Sequence, residues 1–499
     1  MIAESQAENN TIFLLFLKII SYFSMDQHGP VRAEETMHGF RKIAKDTALM
    51  TCAALLMRCV GLFYQSWQAQ RIGPAGVGLW QLVVSVNVLS ATLAISGIRF
   101  TTTRLVSEEL GSNANGQAGG IVLHCLLYAL IFGCSACLLA FFCAEPAAFL
   151  WIGDARAAPC LRTLAFTLPM ISLSCVLNGS FIAKGAAWKS AFTQVAEQCV
   201  NVGTVMLLLR NERSGDLARI CAAIARGSLL ADAVSLLLAA VLYLTPPPRR
   251  RRIALSAPLT GRMLRIALPL AMSAYARAGL TTLEHLLVPR KLREAGLSTD
   301  GALGGYGTVT GMVFPLITFP ACLLTAAAEL VIPELTAAQV RGDRRSILQT
   351  VRRLLRFAAI YALAVALFLF FSADALGALL FHSPDVGRCI RLLSPLVPIM
   401  YLDIVTDGCL KGLGQMMRSM YYNIGEAMLG LLLVMTLLPR WAMRGYLAML
   451  FICETWNFAL SFTRLRKVAF GAVPRGRTRR FLIFCRSLFV NISQIYRKC

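Results

Sequence analysis

The chain predicts an all-α polytopic membrane protein with about twelve transmembrane helices in two six-helix lobes. Three observations carry this expectation. Only 15 % of the 499 residues are charged and 57 % are hydrophobic, where a soluble domain carries about 25 % charged residues. Mean hydropathy is +0.63, and the apolar runs recur at about the 20 residues a bilayer needs. Finally, 49 Lys plus Arg stand against 26 Asp plus Glu, a net charge of +23, and the basic residues fall in short segments between apolar runs. A nucleic-acid partner calls for a basic patch on a polar face, and too little polar surface is left for one. The pattern excludes an ordinary soluble enzyme and fits loops that orient spanning helices.

Residues 1–45 form an expected N-terminal cytoplasmic segment. The first apolar run, 11–24, is short for a span, contains Lys18 and follows Glu4 and Glu8, so it matches neither a signal peptide nor a spanning helix. Met37, followed by Arg41, Lys42 and Lys45, opens a conventional start, and residues 1–36 are read as an upstream extension that is not native. Spans follow near 46–70, 77–98, 119–143, 158–181, 189–210 and 219–243, the first lobe being 46–243. Residues 244–261, with Pro246, Pro247 and Pro248 before Arg249 to Arg252, read as a basic inter-lobe linker. The second lobe, 262–463, holds spans near 263–288, 304–328, 354–372, 388–410, 417–438 and 442–463, and 464–499 is a basic tail. The excess of Lys and Arg on alternate loops places both termini in the cytoplasm.

An internal echo supports two parallel repeats. Leu105-Val106-Ser107-Glu108-Glu109-Leu110 follows the second span of the first lobe, and Leu330-Val331-Ile332-Pro333-Glu334-Leu335 holds the equivalent place in the second. Most of the 16 cysteines fall inside apolar runs and are expected to be small buried hydrophobes. Cys134 and Cys137 form a lone C-x-x-C without further ligands.

Intramembrane charges are costly and therefore functional candidates. Thr51, Arg58 and Gln65 recur every seven residues on the first span, with Gln68 beside them. That stripe faces either a wet cavity or a structural partner carboxylate. On the fifth span Gln194, Glu197, Gln198 and Asn201 fall at i, i+3, i+4 and i+7, sharing one face. Polar packing between helices explains one or two such residues, and a cavity explains four. Ser273, Arg277, Thr281 and Glu284 lie within an arc of roughly 90° on the seventh span. His285, about 100° from Glu284, reads as a packing residue. Asp403 and Asp407 lie one turn apart on the tenth span, where two carboxylates make a place for a shared proton; Asp407 is equally able to pair with Lys411. Glu426 and Glu454 follow on the last two spans. No phosphate loop, H-E-x-x-H pair or nucleophile elbow occurs, so the chain is not expected to be an enzyme.

Several stretches carry a family resemblance: Met57-Arg58-Cys59-Val60-Gly61-Leu62-Phe63-Tyr64, Arg71 through Leu82, Ser96-Gly97-Ile98, and Arg104 through Glu109. Asn178-Gly179, Lys184-Gly185, Gln194 through Gln198, Glu284 through Lys291, Tyr306 through Met312 and Val331 through Glu334 add to them. Together they resemble the stage V sporulation protein B family of polysaccharide flippases, within the multidrug/oligosaccharidyl-lipid/polysaccharide superfamily. The resemblance implies a MATE-like, V-shaped pair of lobes that alternately opens to either side of a bacterial plasma membrane and moves a lipid-linked saccharide, with a link to cell-envelope or spore peptidoglycan assembly. Arg58 matches the first of several cavity arginines in lipid II flippases, whereas Tyr64 and Thr310 stand where two others are expected, which leaves the cargo open. The two extra C-terminal helices of longer relatives are not expected, because 481–490 is too short to span.

On this reading Arg58 and Arg277 attract a pyrophosphate. Gln65, Gln194, Glu197, Gln198, Asn201 and Glu284 complete the substrate contacts, and Asp403, Asp407 and Glu426 sense a coupling proton or sodium ion, with no other cofactor. The alternative is a cation-coupled multidrug exporter, which shares the fold and needs an acidic cavity. A membrane glycosyl- or acyltransferase lacks its motif.

Overall fold

With no water in the bilayer core, each spanning segment must satisfy its own backbone groups, and helices do so. The computed structural model describes residues 33–111, 118–210, 217–245 and 257–470, and among these no strand occurs. Residues 1–32 of the expected extension 1–36, the arginine run of the linker and the tail beyond 470 lie outside the described residues. The chain divides into two units, Met1–Cys52 and Ala53–Cys499. In the first, the described residues belong to the start of a helix. All that follows concerns the second.

Helix α1 (Ala33–Ile95) breaks at Gly73, with φ 69° and ψ 172°. Glycine tolerates this left-handed φ, and Pro74 next to it has no N–H to give to the helix. The break folds the chain back on itself. Gly61 faces Gln198, and Gln198 lines a pocket together with Val84 and Asn87 from beyond the break. The first two expected spans are therefore the two arms of α1. Ser96 (φ 46°) and Gly97 (φ 70°) separate α1 from α2 (Ile98–Gly111), and α3 is Ala118–Phe142. The fourth span is divided into α4 (Ala158–Ala165) and α5 (Thr167–Ala183), and α6 (Ala187–Arg210) and α7 (Leu217–Leu244) follow.

The second half begins with α8 (Ala257–Glu294). The eighth span is the most irregular: α9 (Thr299–Gly307), a π-helical stretch Thr308–Val313, α10 (Phe314–Thr318) and α11 (Ala321–Val340), with Pro315 and Pro320 removing helical N–H groups. Then come α12 (Arg344–Phe381), α13 (Pro384–Leu393), α14 (Val397–Gly412) and α15 (Met416–Phe470). Helix α15 breaks at Ala442 (φ 48°, ψ −128°). Asn457 Nδ2 donates to Asn423 Oδ1 at 3.1 Å across that break, so α15 is also a hairpin.

Eight of the described helical segments are long and apolar enough to cross a membrane, including the two hairpins. Helices α6 and α8, expected as the fifth and seventh spans, are not among the eight. They carry the polar stripes, which dilute the apolar run.

Helices α2 to α7 pack mainly on one another, as do α8 to α15. The halves meet at a glycine crossing. A Cβ on Gly78 would stand 2.0 Å from the Leu303 carbonyl oxygen, and one on Gly307 would stand 2.4 Å from Gly78 N. Small residues permit such backbone contact in membranes. Near the same end Gln70 Nε2 donates to the Leu380 carbonyl at 2.7 Å, as does the Ser66 hydroxyl. Elsewhere Arg262 of α8 pairs with Glu108 of α2, whose other partner is Arg104 at 2.9 Å.

Cys134, Cys143 and Cys199 are exposed rather than buried. In a bilayer the outer surface is as apolar as the core, so small apolar residues fall on either side.

Candidate functional site

Two cavities hold most of the polar groups. The larger, about 1320 Å³, is built mainly from α8, α11, α14 and α15, with one wall from the second arm of α1. Six carboxylates line it, Glu284, Glu329, Asp403, Asp407, Glu426 and Glu454, against two cations, Arg277 and Lys411. The stripe Ser273, Arg277, Thr281 and Glu284 brings α8 to the cavity as its spacing requires. Glu284 rests against α15, with its Oε2 2.8 Å from where a Gly430 Cβ would stand. Glu426 lies within electrostatic reach of both Glu284 and Arg277.

The polar side chains of α14 and α15 form two hydrogen-bonded groups in this cavity. Asn457, only 3 % exposed, donates from Nδ2 to Asp403 Oδ2 at 3.2 Å as well as to Asn423. The Oδ1 atoms of Asp403 and Asn457 are buried with no hydrogen-bond partner among the described residues. Asp407 accepts from Ser419 and pairs with Lys411 at 2.7 Å. No group of three or more His, Cys, Asp or Glu side chains arranged for a metal occurs among the described residues. The free oxygens belong instead to a mixed carboxylate and amide set, which suits a proton or a hard monovalent cation. His285 lines the cavity too, and its Nδ1 is 2.9 Å from the Tyr306 hydroxyl. It is thus a polar partner rather than a packing residue.

The smaller cavity, about 200 Å³, contains Glu197, Gln198 and Asn201 of α6 with Asp232 of α7, Asn87 and Trp80. Asn201 Oδ1 is buried there without a partner among the described residues. Of the other expected site residues, Gln194 is exposed on α6 and donates to Ser190 at 3.2 Å, and Gln65 is half-buried. Arg58 is exposed and lies within electrostatic reach of Cys322. None of the three lines either cavity. Cys322 precedes Thr325, Glu329 and Ile332 on one face of α11, and those three do line the larger cavity.

Sequence reasoning missed Asp232, Glu329, Asn423 and Asn457. The first two are single charges inside apolar runs, a signal that was available. The two asparagines gave none, since an isolated amide in a spanning helix is ordinary packing.

An apolar cleft of about 470 Å³ adjoins the larger cavity, and Thr92, Leu270 and Ala274 line both.

Comparison with known proteins agrees with this architecture. The polysaccharide biosynthesis protein family matches residues 43–307, and the MatE family matches residues 295–436. Stage V sporulation protein B of Bacillus subtilis (strain 168) is 22 % identical over 409 residues, covering 80 % of this chain and 79 % of that protein. Sporulation protein YkvU of the same organism is 22 % identical over 397 residues, 77 % of this chain and 85 % of that one. The inward-facing structure of a multidrug resistance MATE family transporter of the MOP superfamily superposes with a TM-score of 0.68 at 16 % identity, over 84 % of this chain and 98 % of that one. The fold is MATE-like, and both fold and family are those of multi-pass membrane transporters rather than enzymes.

Proposed function

Because the chain belongs to the polysaccharide biosynthesis protein family, we propose that it is an alternating-access flippase that carries a lipid-linked oligosaccharide or peptidoglycan precursor across the bacterial cytoplasmic membrane. The observation that carries the reading is the union of a polar cavity of about 1320 Å³ with an apolar cleft beside it. Drug-sized ligands occupy pockets of about 300–1,000 Å³. The larger volume, rich in amide, hydroxyl and carboxylate groups, suits a saccharide of several rings, while the cleft leaves an attached chain in contact with lipid. Both relatives are named as sporulation proteins. Arg277 supplies a positive charge within the cavity. Asp403, Glu426 and the free oxygens beside them supply a place for the coupling proton or sodium ion. The distribution of Lys and Arg favours cytoplasmic termini.

Depleting the protein tests this. A lipid-linked saccharide should accumulate in the inner leaflet and clear when expression is restored; unchanged lipid pools would end the proposal.

A second reading has its own support. Six carboxylates against two cations also suit a cation-coupled exporter of positively charged amphiphiles. Efflux of a cationic dye from cells, abolished by deletion and unaccompanied by saccharide accumulation, would select it.

A further inference from the structure

Several arginines near helix ends are balanced locally: Arg104, Arg156, Arg162 and Arg391 each pair with a nearby carboxylate. The start of α12 differs. Arg341 precedes it, and Arg344, Arg345, Arg352, Arg353 and Arg356 all fall in its first turns. Arg344, Arg345, Arg352 and Arg356 are exposed and make no ion pair among the described residues. Two nearby acids are engaged otherwise. Asp343 caps α12, accepting from the Arg345 and Ser346 backbone N–H groups at 3.1 Å. Glu334 of α11 accepts from the buried Thr350 hydroxyl at 2.9 Å.

The arginines also share a face and a depth. At about 100° per residue, Arg345, Arg352 and Arg356 lie within an arc of about 60° that includes Leu363 and Leu367, which are 56 % and 49 % exposed. The opposite face, through Val351, Leu354, Ala358 and Ala362, is buried. Leucines so exposed on a spanning helix meet acyl chains. Arg356 stands about 10 Å before Leu363 along the axis, and Arg352 about 6 Å before Arg356. The two flank residue 354, where the expected span 354–372 begins, and so lie at headgroup depth. Their charged heads remain in the polar layer while their stems cover apolar surface, so keeping them there is cheap. Basic residues clustered where a helix leaves the bilayer add their fields and draw anionic lipid to that spot.

We propose that Arg345, Arg352 and Arg356 form a binding site for an anionic phospholipid, its phosphate held between Arg352 and Arg356 and its acyl chains lying along Leu363 and Leu367. Side chains one helical turn apart stand about 6 Å from each other, close enough for two guanidinium groups to grip one phosphate, and guanidinium is well shaped for phosphate oxygens. A lipid fits better than a soluble phosphate ester because the apolar half of the same face then has its cover. The site concerns the surrounding bilayer and holds whatever the cargo is.

The test titrates phosphatidylglycerol and, in parallel, phosphatidylcholine into the delipidated full chain, read by native mass spectrometry. Phosphatidylglycerol should bind the wild type at least about fivefold more tightly than phosphatidylcholine, and the double variant Arg352→Gln with Arg356→Gln should lose about fivefold or more of that affinity. The double variant Arg352→Lys with Arg356→Lys should stay nearer the wild type than the glutamine variant does. Arg265→Gln, which removes an exposed arginine of α8, should leave binding unchanged, and glycerol phosphate should not displace the lipid. Equal binding of the two lipids by the wild type, or retention of phosphatidylglycerol within twofold by the glutamine variant, would overturn the site. An equal loss in Arg265→Gln would replace it by a general effect of net charge, and displacement by glycerol phosphate would replace it by a site for free anions.

Discussion

The two polar cavities are built from the same residue types on the same kind of helical stripe, yet they differ nearly sevenfold in volume, about 200 Å³ against about 1320 Å³. In the first half, carboxylates come from two helices, Glu197 on α6 and Asp232 on α7, and no Lys or Arg among the described residues lines the pocket. In the second half, α8, α11, α14 and α15 all turn carboxylates inward, and Arg277 and Lys411 enter with them. Four stripes converging on one volume make a chamber that can be wet and can reorganise. Two facing each other make a confined polar contact. We propose on this ground that transport chemistry lies in the second half and that the first has a supporting part.

The strongest way to break that comparison is to neutralise the two carboxylates proposed to hold the coupling ion, Asp403→Asn with Glu426→Gln. Ion-driven flux in proteoliposomes should fall about a hundredfold, with protein still inserted and monodisperse. Removing the cavity cation that makes no salt bridge among the described residues, Arg277→Ala, should lower substrate flux about tenfold, the value of about one charge-assisted hydrogen bond, and should leave the flux's dependence on the ion gradient in place. The matching change in the first half, Glu197→Gln, should alter flux by less than about threefold; a loss as large as that of the Asp403 variant would reverse the assignment of roles. Asn457→Leu sharpens the comparison through stability. It leaves Asp403 and Asn423 without their shared donor, and should lower unfolding stability by about 1–3 kcal/mol in a detergent titration. The smallest effect concerns the hairpin that carries Glu426 and Glu454. Ala442 holds a φ of 48°, a region that costs a residue with a Cβ about 1 kcal/mol or more. Ala442→Gly should therefore raise thermal stability slightly without changing flux.

Much of the helical pattern was legible because a bilayer imposes it. Runs near 119–143 and 219–243 match α3 and α7 closely, and the gap left between the expected spans 46–70 and 77–98 is where the first hairpin turns, at Gly73. The eighth span was less legible. Its expected 304–328 is a chain of short helices ending at Val340, because Pro315 and Pro320 interrupt the ladder without interrupting the hydropathy. Similarly, the Ser273 to Glu284 stripe reached the cavity its spacing suggested, whereas Arg58, on an equally regular stripe, is exposed and lines neither cavity. Periodicity says which residues share a face. It does not say what that face meets.

The sequence by itself determined that this chain crosses a membrane many times, roughly where its apolar runs lie, and which polar residues share a helical stripe. These follow from local backbone chemistry and from the cost of charge in hydrocarbon, neither of which needs a neighbour. Only the tertiary structure decided that Glu284, Asp403, Glu426 and Glu454 line one chamber and that Glu197 meets Asp232 in another. The rotation of each helix about its axis is set by how all of them pack together, with contacts as close as that of Gly78 and Gly307 fixing how the halves meet.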